Sequence, residues 1–109
     1  MSVLEIMPKL KEIAKACKSK NAGPFELTLD IMFEDAAPFD KVRKTGVINA
    51  DLIAALYRVP VESVVFTEYP PAFAYKATIE RRIASGAVGD TDVYGAQQHA
   101  PLLDVEIPI

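Results

Sequence analysis

The sequence predicts an α+β domain in which helices cover one face of a four-stranded antiparallel sheet, with an extra helix at the N-terminus. Residues 25–33 alternate apolar and polar side chains, which is typical of a half-buried strand. Two further β-rich runs, residues 63–69 and 73–82, are separated by Pro70 and Pro71, which indicates a hairpin or a bent connection. Helical periodicity fills the chain between the first strand and this pair.

We expect the N-terminal helix within residues 3–17, beginning near Pro8. Its apolar positions recur at helical spacing: Leu4, Met7, Leu10, Ile13, Ala14 and Cys17. The first few residues could instead form a short strand. Residues 18–24 are predicted to be a loop, because lysine, serine, asparagine, glycine and proline follow one another there.

Two helices are predicted between the first and second strands. One runs from about Pro38 to Lys44, and Gly46 is placed to cap its C-terminus. The other begins after Asn49, a good N-cap residue, and ends before Pro60.

The C-terminal part predicts a short helix around residues 94–99 and a last strand over residues 102–107. The resulting order of strands and helices is that of a ferredoxin-like split βαβ sandwich. Another small α+β sandwich, with the same elements paired differently, is the alternative.

Length and composition indicate one globular domain over residues 1–109, with 50% hydrophobic and 25% charged residues. A net charge of -3 argues against a general nucleic-acid binder. Cys17 is the only cysteine and His99 the only histidine, which excludes an internal disulfide, an iron–sulfur cluster and a histidine-based metal cluster within one chain. We therefore expect no cofactor and no metal.

No basic segment followed by an apolar run begins the chain, and no apolar stretch reaches the roughly 18 residues of a membrane span. We expect a cytoplasmic protein without a signal peptide. A domain of this size buries only about two-thirds of its unfolded surface, so a homo-oligomer or a partner subunit would add stability.

The predicted topology brings polar groups together at one edge of the sheet, where the start of the first strand lies beside the end of the third. Glycines there let backbone N–H groups face an anion, and arginines grip a carboxylate or phosphate with two bonds. We expect an anion- or acid-binding site, or part of a site that another chain completes. The alternative is a pair of solvated loops. The candidate ligand-binding residues are Lys18, Ser19, Lys20, Asn21, Gly23, Arg81, Arg82, Gly89, Asp90, Thr91 and Asp92.

Other polar residues suggest chemistry less specifically. Asp90 and Asp92 could contact a divalent cation, although a turn-capping aspartate has the same pattern. Cys17 is interpreted as a small buried hydrophobe, His99 as structural, and the strand tyrosines Tyr69 and Tyr75 as packing residues.

Two segments, SKNAGPFELT at residues 19–28 and GDTDVYGAQQHAPLL at residues 89–103, resemble the signature segments of the domain-of-unknown-function 4387 family. The resemblance extends from about Leu10 to Pro108. The general layout is similar, more weakly, to the ferredoxin-like domain that accompanies AtuA proteins of acyclic terpene utilisation.

This resemblance implies a small subunit or accessory domain of a two-component, AtuA-like catabolic enzyme. The implied substrate is an organic acid or an acyl thioester, and the implied reaction is hydration, dehydration or isomerisation in the presence of a larger partner. The alternative is a stand-alone, homo-oligomeric module that binds a small anion. A self-contained enzyme would need its acid and base from Asp90, Asp92, Tyr94 or His99.

Overall fold

The computed structural model describes residues 7–80 and 98–109. Its helices and strands, in chain order, are α1 (Leu10–Ile13), β1 (Ala16–Asn21), β2 (Glu26–Met32), α2 (Ala36–Thr45), α3 (Ala50–Tyr57), β3 (Val65–Tyr69), β4 (Ala74–Glu80) and α4 (Ala100–Leu103). Two short 3₁₀ turns, Val61–Ser63 and Pro70–Ala72, precede and follow β3.

The strands form one antiparallel sheet in the order β1-β2-β4-β3. The predicted first and third strands, β2 and β4, are neighbours, and β3 lies outside β4, as the sequence predicts. The α+β, ferredoxin-like arrangement is therefore confirmed. The position beside β2 that the predicted last strand would have taken is occupied by β1.

The pairing of β2 with β4 forms the centre of the sheet. Leu27 lies opposite Ile79, Leu29 opposite Ala77, and Ile31 opposite Tyr75. All six side chains are buried on the same face. Because side chains alternate along a strand, this register directs one complete face of the sheet into the core.

The helices cover that buried face. Phe39 and Val42 of α2 and Ile53 of α3 belong to the same hydrophobic core as the central strands. Aromatic packing joins the two layers, since the rings of Phe39 and Tyr75 lie 5.2 Å apart between centroids. Within residues 7–80 and 98–109, no helix has the length and apolar character that crossing a membrane requires.

The predicted N-terminal helix and the loop after it are largely wrong. Helix α1 is a single turn, and the chain continues as strand β1 through Asn21. Ser19, in β1, is buried although it is polar, and exposed lysines flank it on both sides. Buried and exposed positions alternate along β1, but the side chains at these positions are small or charged. Such a composition is typical of a loop, which is why the sequence predicted one.

The predicted last strand is also wrong. Residues 100–103 form α4, with Pro101 in its first turn, where proline is well tolerated. Beyond α4 only Glu106 makes a β-bridge, and its partner is Lys9. Leu102 and Ile107 are fully buried, a spacing that does not match the side-to-side alternation of a strand. Of the helix predicted around residues 94–99, residues 94–97 lie outside the described part of the chain.

The two predicted central helices are confirmed together with their caps. The side chain of Asp35 accepts a hydrogen bond from the Ala37 N–H at 3.1 Å at the start of α2. Gly46 ends α2 in the left-handed region at a φ of 68°, which glycine adopts without steric cost. Asn49 connects the two helices: its Oδ1 accepts from the Leu52 N–H and its Nδ2 donates to the Gly46 carbonyl, each at 2.8 Å.

We predict that two substitutions of Asn49 destabilise the protein to different extents. Asn49→Asp keeps the acceptor that caps α3 and loses the donor to Gly46, whereas Asn49→Ala loses both. The alanine variant should cost about 1–2 kcal/mol of unfolding free energy and the aspartate variant less. Urea unfolding measures both, and Asp51→Ala, in the same helical turn, is the control with a smaller loss. Equal stability of the two Asn49 variants would contradict the role of the cap bond.

Candidate functional site

Strand β1 places the predicted site residues on two different faces of the sheet. Lys18 lies opposite Asp30 and Lys20 opposite Thr28, on the face of the sheet that points away from the described helices, where Thr28 and Ala74 are nevertheless buried. This side is called the open face. Both lysines are exposed, and neither forms an ion pair within residues 7–80 and 98–109.

Ser19 points the other way, into the core. It is 7% exposed, and its Oγ accepts a hydrogen bond from the Gln98 N–H at 2.9 Å. The hydroxyl of Tyr57, from α3, donates to the Gln98 carbonyl at 2.7 Å. The main chain of Gln98 is therefore held on both sides, by β1 and by α3. This pair of bonds is called the Gln98 clamp.

Burial raises the pKa of two side chains near the clamp, those of Tyr57 and Cys17. It raises the pKa of the Tyr57 phenol well above its usual range, with a smaller contribution from Cys17. It also raises the pKa of the Cys17 thiol to about 11. Because the thiolate is the nucleophile, Cys17 is unreactive at neutral pH, which agrees with its interpretation as a packing residue.

The turn between β1 and β2 contains Gly23 at a φ of +110°, a conformation that side-chain-bearing residues rarely adopt. A Cβ atom at this position would meet no atom within 4 Å, so backbone conformation, not space, favours glycine. The Ala22 N–H closes the turn by donating to the Glu26 carbonyl at 3.0 Å. Phe25, at the end of the turn, is 68% exposed.

The predicted meeting of the start of the first strand with the end of the third is present, since Glu26 lies directly opposite Glu80. Two exposed carboxylates therefore face each other at this edge, an arrangement that is unfavourable without nearby positive charge. The remaining predicted site residues lie outside the described part of the chain, and their role stays a prediction: Arg81, Arg82, Gly89, Asp90, Thr91 and Asp92.

The open face is organised in rows that cross the sheet. The apolar row is Ala16, Met32, Ala74 and Tyr69, and the adjacent charged row is Lys18, Asp30, Lys76 and Thr67. A third row consists of Lys20, Thr28, Thr78 and Val65. Thr28 and Ala74 are buried, whereas the lysines of these rows and Tyr69 are exposed. Exposed ammonium groups beside an exposed aromatic side chain suit two kinds of ligand, a carboxylate-bearing molecule and an acidic protein surface.

Two further predictions concern metal ligands and the strand tyrosine Tyr75. Among residues 7–80 and 98–109, no three histidine, cysteine or carboxylate side chains are close enough to hold a metal ion. The packing role predicted for Tyr75 is confirmed by its contacts with the rings of Phe33, Phe39 and Phe66. Burial, with the nearby Glu68 carboxylate, raises the pKa of Tyr75 to about 12.

Sequence reasoning missed the Gln98 clamp. Tyr57 is expected on the inward face of its helix, but nothing in the sequence pairs it with Gln98. The partner atoms are a backbone N–H and a carbonyl, which every residue type presents. The sequence around Ser19 therefore carries no signal for this partner, and only the burial of Ser19 in the structure shows it.

We predict that the two bonds of the Gln98 clamp are energetically coupled. Ser19→Ala leaves the Gln98 N–H without its acceptor and should cost about 1–3 kcal/mol, and Tyr57→Phe should cost about 1 kcal/mol. The double variant should lose less than the sum, because both groups hold the same main-chain segment. Urea unfolding of all variants gives the coupling. Lys18→Ala, at an exposed position of the same strand, is the control, and strict additivity would contradict a shared clamp.

We predict that Cys17 weakens the folded state in alkali. The unfolded chain releases the thiol proton near the ordinary pKa of 9.0, whereas the folded chain retains it to about 11. The unfolded state therefore binds fewer protons in this interval, and stability falls as the pH rises through it. Cys17→Ala should show a shallower decline than the unsubstituted protein when urea unfolding is measured across the interval. Parallel pH profiles of the two proteins would contradict the burial of the thiol.

Comparison with known proteins identifies a family. No curated protein and no solved structure matches the chain significantly. The model of one family, described as domain of unknown function (DUF4387), matches residues 10–106. The match covers both segments that carry the resemblance and all described helices and strands. The chain belongs to the DUF4387 family.

Proposed function

We propose that the chain is a small accessory subunit of a two-component, AtuA-like catabolic enzyme. Its substrate would be an organic acid or an acyl thioester, undergoing hydration, dehydration or isomerisation once the larger subunit is bound. The resemblance of residues 19–28 and 89–103 is the reason for choosing this partner. The same proposal places the chain in the cytoplasm, where a free thiol such as that of Cys17 is common.

The observation that carries the proposal is the composition of the open face. Tyr69, in the apolar row, is 57% exposed, and Val65 on the same strand is 64% exposed. Lys18 and Lys76 border the apolar row on its charged side. Exposed apolar side chains with a charged border are typical of protein–protein interfaces. We therefore infer that the open face docks on the larger subunit.

The subunit would contribute positive charge to a shared site. Lys18 and Lys20 extend from the open face of an edge strand, so they can reach across an interface. Ammonium groups stabilise a substrate carboxylate or an enolate-like transition state without performing covalent chemistry themselves. In this proposal the predicted edge with Lys20, Arg81 and Asp90 lies at the border of the shared site.

A second candidate function is a stand-alone module that binds a small anion. It is favoured by Lys18 and Lys20, which are exposed on one face without an ion pair among the described residues. A rise in melting temperature on adding small organic acids to the isolated chain would favour this function, because binding to the native state stabilises it by mass action.

We predict that affinity capture of the tagged chain from lysate of its native cells recovers an AtuA-like protein in stoichiometric amount. Lys18→Gln with Lys76→Gln, on the open face, should reduce the recovery several-fold by removing the charged border of the interface. Mass spectrometry and sizing of the captured material provide the measurement.

The matched control is Lys41→Gln with Lys44→Gln, which removes the same charge from exposed positions of α2 in the helical layer. This control should leave the recovery unchanged. Recovery of the chain alone would contradict the subunit proposal. Equal losses in the two double variants would retain a partner but contradict docking through the open face.

A further inference from the structure

The two outer edges of the sheet are protected to different degrees. Strand β1 has exposed lysines at positions 18 and 20, and edge lysines are a common means of preventing strand pairing between molecules. Strand β3, with the sequence VFTEY, contains no lysine, no arginine and no proline. Its outer edge pairs with no other strand in the part of the chain that the structure describes.

The side chains of β3 favour contact with another apolar surface. Val65 and Tyr69 are among the most exposed large hydrophobic residues of the described chain, at 64% and 57%. The only charge on β3 belongs to Glu68, which is compensated within its own molecule by the Arg43 Nε at 3.0 Å. An identical strand could therefore approach this edge without meeting an uncompensated like charge.

We propose that β3 pairs in antiparallel fashion with β3 of a second copy, around a twofold axis at Thr67. In this register Val65 lies opposite Tyr69 of the second copy, and Thr67 lies opposite Thr67. A β-branched residue facing an aromatic one, and a threonine facing a threonine, are stabilising cross-strand pairs. The twofold arrangement forms the valine–tyrosine pair twice, as an isologous interface requires.

The neighbouring registers are less favourable. Moving the axis by one residue towards the C-terminus leaves only residues 67–69 paired within the strands and places Glu68 directly opposite Glu68. Moving it towards the N-terminus leaves only residues 65–67 paired and removes Tyr69 from the contact. Only the axis at Thr67 pairs every residue of Val65–Tyr69.

This pairing would join the two sheets into one continuous sheet and extend the open face across both copies. The contact is small against the roughly 1,600 Å² of a standard interface, so we expect a weak dimer that dissociates on dilution. The inference goes beyond the proposed docking on a larger subunit, because it concerns the isolated chain and the backbone edge of β3, although Val65 and Tyr69 also lie on the open face.

The first test measures the mass of the isolated full-length chain by sedimentation velocity over a dilution series. We expect a monomer–dimer equilibrium, and expect Val65→Lys with Tyr69→Lys to abolish the dimer by removing the valine–tyrosine pairs and giving β3 the lysine protection that β1 has. Both positions are exposed, so circular dichroism and melting should change little. Phe25→Lys, which also replaces an exposed hydrophobic residue, is the control and should leave the dimer unchanged. A monomer at every concentration would overturn the proposal, and so would a dimer that persists in the double-lysine variant.

The second test fixes the register by disulfide formation in a Cys17→Ala background. Thr67→Cys places the two thiols opposite each other across the axis, within the Cα separation of up to about 7 Å that a disulfide spans. It should cross-link rapidly on mild oxidation. Val65→Cys is the matched control, because its thiols lie on opposite sides of the axis and out of reach. Cross-linking of Val65→Cys in preference to Thr67→Cys would overturn the register.

Discussion

The pairing of β2 with β4 is the constraint on which the rest of the structure depends. It aligns Leu29 with Ala77 and Ile31 with Tyr75 on one face of the sheet. That face forms one side of the hydrophobic core of the described residues. A slip of one residue would turn these apolar side chains to solvent, so the register is strongly specified. Helices α2 and α3 pack on this face, and β1 and β3 pair with the outer edges of β2 and β4.

This arrangement separates stability from recognition. The buried face and the Gln98 clamp hold the layers together through apolar contacts and two hydrogen bonds to one main-chain segment. The open face carries exposed lysines and the exposed Tyr69, and only Thr28 and Ala74 are buried there. Strand β1 belongs to both, because Ser19 faces inward while Lys18 and Lys20 face outward. A substitution at an inward position of this strand will therefore affect stability, and one at an outward position will affect the binding that we propose.

The sequence predicts those elements whose signals are local. Strands β2, β3 and β4 and helices α2 and α3 follow from alternation, helical spacing and caps such as Asn49. Strand β1 could not be predicted in the same way, because the free edge of β2 and not its own composition makes it a strand. The prediction of a last strand was wrong because tertiary packing, and not the alternation of a strand, buries Leu102 and Ile107. Of the residues predicted for the site, Gly23 lies in the turn near the end of the sheet where Glu26 meets Glu80, Lys18 and Lys20 lie along β1, and Ser19 belongs to the core. The site itself stays a prediction.

The placement of β1 at the sheet edge is the central claim, since it determines which predicted site residues reach the open face. Cross-strand nuclear Overhauser contacts between β1 and β2 test it most directly. The structure predicts backbone contacts between Lys18 and Asp30 and between Lys20 and Thr28, which are paired in the sheet. Helical contacts between residues three apart over 14–21, without contacts to β2, would contradict the account and return these residues to a helix or loop.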